Sequence, residues 1–290
     1  MAHPALSHIG LPLIVGSLLR LADLTRNLGH DEVYTWQVFA SVSYEKITPS
    51  YSFPNNHILH TLLVRLAGQV FGLAEWSLRL PALLAGLAVL PMVYTIGRCT
   101  LGSPAAASLV AWIFALSPVH IHYWHSARGY SLLVLMCAIA LYALWRALDG
   151  RRLGWSAFAL CSFPAAYVLP SGALHLAALG LCALKRHVRS AVYALVSGAA
   201  TLGALIFAYW PMREEVAVAG DRWGVAVENP ADLVAACAAA ASYLVAGWAV
   251  VLLGLGGLVG FYAAAKYRRS LALYTGLAWL LPFAHRASER

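Results

Sequence analysis

The stretch LPALLAGLAVLPMVYTIG at residues 80–97 contains no Asp, Glu, Lys or Arg and has the length of an apolar helix. A helix needs about 20 apolar residues to cross the hydrocarbon core of a bilayer. Further stretches that lack these charged residues are 104–127, 129–145, 153–184, 190–212, 233–265 and 270–285. The sequence therefore predicts an all-α integral membrane protein.

The composition supports this fold class. Of the 290 residues, 61% are hydrophobic and 11% are charged, whereas a soluble domain has about 45–50% and about 25%. These values exclude a water-soluble enzyme, a disordered chain and a disulfide scaffold. The net charge of +8 lies mainly in short gaps between apolar stretches, which indicates orientation in the bilayer rather than a nucleic-acid partner.

Two of the apolar stretches are too long for one span. A helix over 153–184 would measure about 48 Å, against about 30 Å of hydrocarbon. Leu169-Pro170-Ser171-Gly172 can form a turn there, so we predict spans at 154–169 and 172–184. In the other long stretch, 233–265, we predict an interfacial helix followed by a span at 243–265. With a first span at 9–23, weakened by Arg20, the prediction is about nine spans in a single polytopic domain, 1–290.

The basic residues predict the orientation. With a cytoplasmic N-terminus, which has no features of a cleaved signal peptide, the cytoplasmic turns are 98–103, 146–153, 185–189 and 266–269. These turns are rich in Arg and Lys and hold one acid, Asp149, as the positive-inside rule requires of a protein in the plasma membrane. Two long outer segments remain, 24–79 and 211–232. We expect the first of them to be ordered and functional.

Within the first outer segment, HILHTLLVRLAGQVFG at 57–72 has its polar and small residues on one helical stripe. The stripe consists of His57, His60, Thr61, Arg65, Gly68, Gln69 and Gly72. The remaining face carries Ile58, Leu59, Leu62, Leu66 and Val70. We predict a juxtamembrane helix with its apolar face in lipid and its polar face towards protein or water. The alternative is a membrane-surface helix without further function.

Adjacent acids, Asp31 and Glu32, follow the first predicted span in GHDEVYTW. Side chains of adjacent residues cannot point the same way, so one can face a site while the other faces protein or water. The alternative is an ordinary charged loop. The aromatic residues that follow, and the histidine-bearing helix two dozen residues later, favour a site.

Candidate cations lie near the outer helix ends. Arg128 and His125 occur in HYWHSARGYSL, three residues apart, and share a face if the helix continues through them. Arginine is the preferred side chain for binding phosphate, although a snorkelling cation is the simpler interpretation. Lys46 either reaches a phosphate or solvates its loop. The histidines lack the spacing of a zinc site, and no nucleotide-binding motif is present.

One carboxylate and several cations at a lipid-facing site suit glycosyl transfer from a lipid-linked phosphate. The cations would stabilise the negative charge on the departing phosphate. The carboxylate would take the proton of the acceptor. A single displacement would invert the anomeric carbon.

Four segments in this order resemble the GT-C superfamily of polyprenyl-phosphate-sugar-dependent glycosyltransferases. They are HDEVYTWQ, FPNNHILHTLLVRLAG, EWSLRLPALLAGLAVLPMVYTIGR and ALSPVHIHYWHSARGYSL, within about residues 30–135. The nearest branch resembles bacterial relatives of protein O-mannosyltransferases and aminoarabinose transferases. Relatives in that family are longer, so the chain is expected to be a fragment, a truncated form or a minimal member.

The resemblance implies roles for individual residues. Asp31 would be the catalytic carboxylate with Glu32 in support, and the site would be extracytoplasmic. His57 would begin the juxtamembrane helix, and Arg128 would lie near the lipid phosphate, with His60, Lys46 and His125 as further phosphate contacts. A divalent cation stays open as a cofactor, but SARGYS lacks the second acid that some members carry.

The leading hypothesis is therefore an inverting glycosyltransferase that moves a sugar from a polyprenyl-phosphate carrier to a lipid, glycan or protein acceptor. A lipid transporter or flippase is a second hypothesis, although the sequence has no convincing internal repeat and its charges lie at the outer ends of the spans. A catalytically inactive scaffold subunit is a third.

Overall fold

The computed structural model describes residues 4–48, 50, 56–169, 172–184 and 188–215, and the regular structure of this part is helical. Its α-helices are α1 (Pro4–Leu21), α2 (His30–Tyr34), α3 (Tyr44–Ile47), α4 (Ile58–Phe71), α5 (Glu75–Leu101), α6 (Pro104–Leu116), α7 (Pro118–Trp124), α8 (Tyr130–Leu148), α9 (Leu153–Val168), α10 (Gly172–Leu184) and α11 (Val188–Tyr209). A π-helical turn (Thr35–Ala40) follows α2, and a 3₁₀ turn (Trp210–Met212) follows α11. The all-α prediction is confirmed for these residues.

The described residues contain three helical stretches that are long and apolar enough to cross a membrane: α5, α8 and Arg189–Glu215. The pair α6 and α7 would add a fourth if the two helices form one bent span. The described part of the chain therefore contains three or four candidate spans, and the nine that were predicted are not shown there. The predicted spans 243–265 and 270–285, the interfacial helix before them and most of the segment 211–232 lie outside the described residues.

The predicted hairpin at 154–184 consists of two separate helices, α9 and α10. Leu169, which precedes Pro170, is extended (φ −148°, ψ 130°), because the proline ring disfavours a helical conformation in the residue before it. With 16 and 13 residues, the helices measure about 24 and 20 Å. Each is shorter than the hydrocarbon core of about 30 Å.

The predicted span 104–127 is wrong in one respect, because the structure divides it into α6 and α7 with a bend of 59°. Pro118 has no N–H to continue the hydrogen-bond ladder, and Ser117 before it is extended (φ −63°, ψ 117°). The Ser117 side chain accepts a hydrogen bond from the backbone N–H of His120 and caps α7. The helix after the bend, α7, ends at Trp124, four residues before Arg128.

The buried Arg20 stabilises this bend. Its Nη1 donates to the carbonyls of Gly16 (2.6 Å) and Ala115 (2.9 Å), and its Nη2 donates to the carbonyl of Phe114 (3.0 Å). The Phe114 carbonyl is the one that a residue other than proline at position 118 could have paired. The guanidinium also lies 3.6 Å from the centre of the Trp124 ring. Arg20 therefore occurs in an apolar helix because it binds the electronegative end of α6.

Small residues allow close packing between the helices that support the 24–79 segment. An added Cβ at Gly154 of α9 would overlap the backbone of Ala147 in α8, which shows how closely these helices approach. At the other end of α9, Val168 and Leu169 pack with Ala85 and Leu132 in one buried cluster. Leu59 and Leu63 of α4 pack against the same cluster. Helices α4, α5, α8 and α9 thus form a common support for the residues described below.

The described part of the 24–79 segment is ordered by the polar stripe of α4. Thr61 donates to Asn56 Oδ1 (2.9 Å), and Arg65 Nη1 donates to the carbonyl of Ala40 (3.0 Å). Gln69 Oε1 accepts a hydrogen bond from the Tyr44 hydroxyl (2.7 Å). The polar face of the helix therefore contacts protein.

The predicted lipid face of α4 needs a correction. Leu66 and Val70 are exposed, as a lipid-facing side requires, but Ile58 is fully buried and packs against Met212. Leu62 packs against the same pair. The first turn of α4 is therefore covered by protein, because the chain after α11 returns to it.

Candidate active site

The adjacent carboxylates of Asp31 and Glu32 on α2 point to different partners. The Asp31 side chain is 53% exposed and that of Glu32 is 5% exposed. The helix begins after Gly29, whose N–H donates to Glu32 Oε2 (2.7 Å) and closes the first turn. One acid therefore faces outward while its neighbour is enclosed by protein.

Glu32 accepts four hydrogen bonds. Arg79 donates from Nε to Oε1 (2.9 Å) and from Nη2 to Oε2 (2.8 Å), which forms a bidentate ion pair. The backbone N–H groups of Gly29 and Ala127 donate to the same carboxylate, each at 2.7 Å. Glu32 thus joins three separate stretches of chain, those around residues 29, 79 and 127.

The fully buried Arg79 uses each of its N–H groups. In addition to the two bonds to Glu32, Nη1 donates to the carbonyls of Leu24 (3.0 Å) and Arg26 (2.5 Å), and Nη2 donates to that of Asn27 (3.1 Å). A guanidinium has five N–H donors, and five bonds are present. Sequence reasoning assigned Arg79 no role. A lone arginine next to an apolar stretch was the signal that could have identified it.

The surroundings of Glu32 determine its ionisation. Burial alone would raise the pKa of this carboxyl, but the hydrogen bonds from Arg79, Gly29 and Ala127 and the charge of Arg79 outweigh it, so the pKa is lowered. Glu32 therefore stays ionised and bound to these donors at neutral pH. It is a structural anion that holds the site together.

Asp31 pairs with Arg128. Arg128 Nη1 lies 2.6 Å from Asp31 Oδ2, and the Arg128 side chain is 15% exposed. On the other side of the same carboxylate, His30 Nδ1 lies 3.6 Å from Asp31 Oδ1. The structure therefore brings together the predicted catalytic acid and the predicted phosphate-binding cation. It adds His30, which the sequence reasoning did not select.

Arg128 is positioned by its neighbours in the chain. The Ala127 N–H is bound by Glu32, the residue next to Asp31, so one carboxylate orients both members of the Asp31–Arg128 pair. The guanidinium also lies 4.9 Å from the centre of the Tyr130 ring, within the range of a cation–π contact.

His57 reaches the same residues from α4. The ring is buried, and its Nδ1 accepts a hydrogen bond from the Gly129 N–H (2.7 Å). In the neutral ring the proton is therefore on Nε2. His57 packs edge-on against Tyr130 with the ring centres 5.0 Å apart. An added Cβ at Gly129 would lie 2.8 Å from His57 Cβ, so this close approach needs glycine.

His60 is fully buried one turn further along α4, and neither ring nitrogen has a hydrogen-bond partner among the described residues. Burial first, and the nearby positive charge of Arg128 second, lower its pKa to about 3. His60 is therefore neutral at physiological pH. It can offer an N–H donor but no positive charge to a phosphate.

Lys46 and His125 lie elsewhere. Lys46 has an exposed side chain on α3. The helix α7 ends at Trp124, so the spacing of three residues does not align His125 with Arg128. His125 is buried near the end of α1, within electrostatic range of Arg20 and Asp23. Neither residue is placed at the Asp31–Arg128 pair. Among the described residues, no group of three or more His, Cys, Asp or Glu side chains could hold a metal ion.

The buried His60 makes stability depend on pH. An unfolded chain takes up a proton near pH 6.5, whereas the folded ring does so near its pKa of about 3. Its contribution is complete above about pH 6.5 and is lost as the pH falls, by at most about 1.4 kcal/mol per pH unit. The thermal unfolding midpoint of the wild type should therefore fall more steeply between pH 7.5 and pH 4.5 than that of His60→Leu.

Equal slopes for the two proteins would contradict the neutral, buried state of His60. The lowered pKa of Glu32 adds a further loss as the pH falls below its unfolded value of about 4.5. For that reason the measurement ends at pH 4.5, where the two contributions are separate.

The chain matches the sequence profile of a known family. The sequence profile described as Dolichyl-phosphate-mannose-protein mannosyltransferase matches residues 55–212, which is more than half of the chain. The matched range includes His57, His60, Arg79 and Arg128, and it begins after Asp31 and Glu32. No curated protein and no solved structure matches the chain.

Proposed function

Because the chain belongs to the dolichyl-phosphate-mannose-protein mannosyltransferase family, it is a membrane glycosyltransferase that uses a polyprenyl-phosphate sugar, and we propose that it inverts the transferred anomeric carbon on the extracytoplasmic side. We further propose that Asp31 is the base and that Arg128 receives the phosphate.

The single observation that carries this assignment is the pairing of Asp31 and Arg128 at 2.6 Å, with the acid 53% exposed. Transfer needs a proton acceptor beside the attacking hydroxyl and a cation beside the departing phosphate. The pair places these two groups together at a face that is open to substrate. Glu32 and Arg79 are then positioning residues. Glu32, held by Arg79, fixes the backbone next to Asp31 and, through the Ala127 N–H, the backbone next to Arg128.

In the proposed reaction, the acceptor oxygen forms a bond to the anomeric carbon while the bond from that carbon to the phosphate oxygen breaks. The proton of the acceptor goes to the Asp31 carboxylate. The electron pair of the broken bond stays on the polyprenyl phosphate, where Arg128 stabilises it. Because attack and departure occur on opposite faces, the configuration inverts.

Further phosphate contacts follow from the geometry. His57 accepts the Gly129 N–H with Nδ1, so the ring nitrogen that would donate to a phosphate oxygen is Nε2. His60 would act as a neutral neighbour of Arg128. The positions of Lys46 and His125, away from the Asp31–Arg128 pair, give less support to a phosphate contact by either residue. We therefore propose Arg128 and His57 as the main phosphate contacts.

The proposed side of the membrane comes from the charge pattern. The turns at 98–103 and 146–153 carry Arg98, Arg146, Arg151 and Arg152, which supports a cytoplasmic position for them under the positive-inside rule. The Asp31–Arg128 pair lies at the opposite ends of α5 and α8 from these turns. The site is therefore proposed to open to the extracytoplasmic side.

The test is transfer by the purified protein in lipid nanodiscs. The donor is a β-linked polyprenyl-phosphate mannose, and a threonine-rich peptide and water serve as acceptors. We expect release of polyprenyl phosphate and an α-linked mannose product, identified by nuclear magnetic resonance. A β-linked product would overturn inversion, and intact donor that only changes leaflet in liposomes would favour a flippase.

A further inference from the structure

We propose that the donor phosphate displaces the Asp31 carboxylate from Arg128, so that donor binding itself releases the base. This inference rests on the proposed function and adds a condition to it. In the structure, the two groups that the reaction needs separately are bound to each other. The site therefore has a resting state in which Asp31 is engaged by the phosphate-binding cation.

The contact occupies the atoms that both steps need. Arg128 Nη1 donates to Asp31 Oδ2 at 2.6 Å, a short charge-assisted hydrogen bond. While it persists, that oxygen points to the guanidinium instead of to an acceptor hydroxyl. The N–H directed at Asp31 is likewise not directed at a phosphate. One exchange of partners would free both.

The backbone on each side of the pair is fixed, so only the side-chain ends need to move. Glu32 anchors α2 next to Asp31 through Arg79, and it anchors Ala127 next to Arg128 through a bond of 2.7 Å. Gly129, on the other side of Arg128, donates to His57. The head groups can therefore separate by a change of rotamer without a shift of either segment.

The surroundings favour movement of the acid over movement of the cation. The Asp31 side chain is 53% exposed, and that of Arg128 is 15% exposed and packed on Tyr130. A released Asp31 still has His30 beside it, 3.6 Å from Oδ1. Arg128 is thus the fixed member, and Asp31 is the member that leaves.

A phosphate is a stronger partner for Arg128 than the carboxylate that it replaces. It offers more negative charge and more acceptor oxygens in a geometry that suits the guanidinium fork. The half-exposed pair with Asp31 contributes little, because solvent screens its charges. Exchange is therefore favourable once the donor is present, and the acceptor would meet a competent base only after the donor has bound.

The test is a double-mutant cycle on binding of a polyprenyl monophosphate without sugar, measured in lipid nanodiscs. Asp31→Asn removes the competing carboxylate and should tighten binding by about fivefold. Arg128→Gln should weaken binding. In the Arg128→Gln protein, Asp31→Asn should give no further gain, because there is no guanidinium to release. Glu45→Gln removes an exposed acid elsewhere and controls for the change in net charge.

The outcomes separate this inference from the proposed function. If the wild type transfers sugar and Asp31→Asn leaves phosphate affinity unchanged, the exchange is overturned while the function stands. If Asp31→Asn tightens binding equally with and without Arg128, simple repulsion between acid and phosphate explains the gain and the exchange is again overturned. A wild type that neither binds polyprenyl phosphate nor transfers sugar would overturn both.

Discussion

Replacing Asp31 with asparagine is expected to lower transfer from a polyprenyl-phosphate sugar by about 10²–10⁴-fold, the range for loss of a general base. Asparagine has nearly the same shape and keeps an oxygen that can accept the hydrogen bond from Arg128. It cannot take up the proton of the acceptor. The loss should therefore be in kcat, and donor binding should be retained or improved. The measurement is a single-turnover transfer assay on the purified variant.

The controls for this variant separate chemistry from folding. Asp31 is 53% exposed, so the thermal unfolding midpoint of Asp31→Asn should stay close to that of the wild type. Asp31→Glu keeps an acid, although on a longer side chain, and should retain more activity than Asp31→Asn. Full activity in Asp31→Asn would remove this carboxylate from the mechanism. His30 would then be the next base to examine, because it lies beside Asp31.

The fold class could be predicted because charge-free stretches of the length of a membrane span have few alternatives. The ends of the helices were harder to predict from the sequence where a proline interrupts a charge-free stretch. Pro170 was recognised as a break between α9 and α10, whereas Pro118 was not recognised as the cause of the bend between α6 and α7. The difference lies in length, because 153–184 is too long for one span whereas 104–127 is not, so only the longer stretch prompted a search for a break. The contact that stabilises the second break, from Arg20 to carbonyls 94 and 95 residues away, leaves no local pattern in the sequence.

The candidate site could be predicted in part for a similar reason. Adjacent acids must diverge, so the dipeptide predicted that one carboxylate would face outward while the other faced protein or water. The choice of Asp31 as the outward, catalytic acid came from the family resemblance. The stripe on α4 indicated that His57 faces protein. The partner of Glu32 could not be found in this way, because Arg79 lies 47 residues further along the chain. Spacing of three residues also misplaced His125, since that argument assumes a helix and α7 ends at Trp124.

The second large effect is expected at Arg79. Arg79→Met should destabilise the folded protein by about 3–5 kcal/mol, the cost of removing one member of a buried ion pair. The substitution leaves the Glu32 carboxylate buried with only the backbone donors of Gly29 and Ala127. It also removes the donors to the carbonyls of Leu24, Arg26 and Asn27. Thermal or denaturant unfolding in detergent measures the loss.

A matched control is available in α4. Arg65→Met makes the same change at a partly buried arginine whose guanidinium donates to the Ala40 carbonyl and lies over Tyr44. Loss of a hydrogen bond of that kind costs about 0.5–1.5 kcal/mol. The effect at Arg79 should therefore exceed the effect at Arg65 by a few-fold. Similar losses at the two positions would contradict the central role of the Arg79–Glu32 pair.

A double variant separates stability from positioning. Adding Glu32→Gln to Arg79→Met removes the unpaired buried charge and should restore part of the lost stability. A single amide oxygen cannot replace both carboxylate oxygens, which accept from Gly29 and Ala127 separately. Ala127, and with it Arg128, would lose its fixed position relative to Asp31. Transfer should therefore stay low, with a raised KM for the donor, even where folding recovers. Recovery of activity in parallel with stability would show that the pair supports the fold alone, without orienting Asp31 and Arg128.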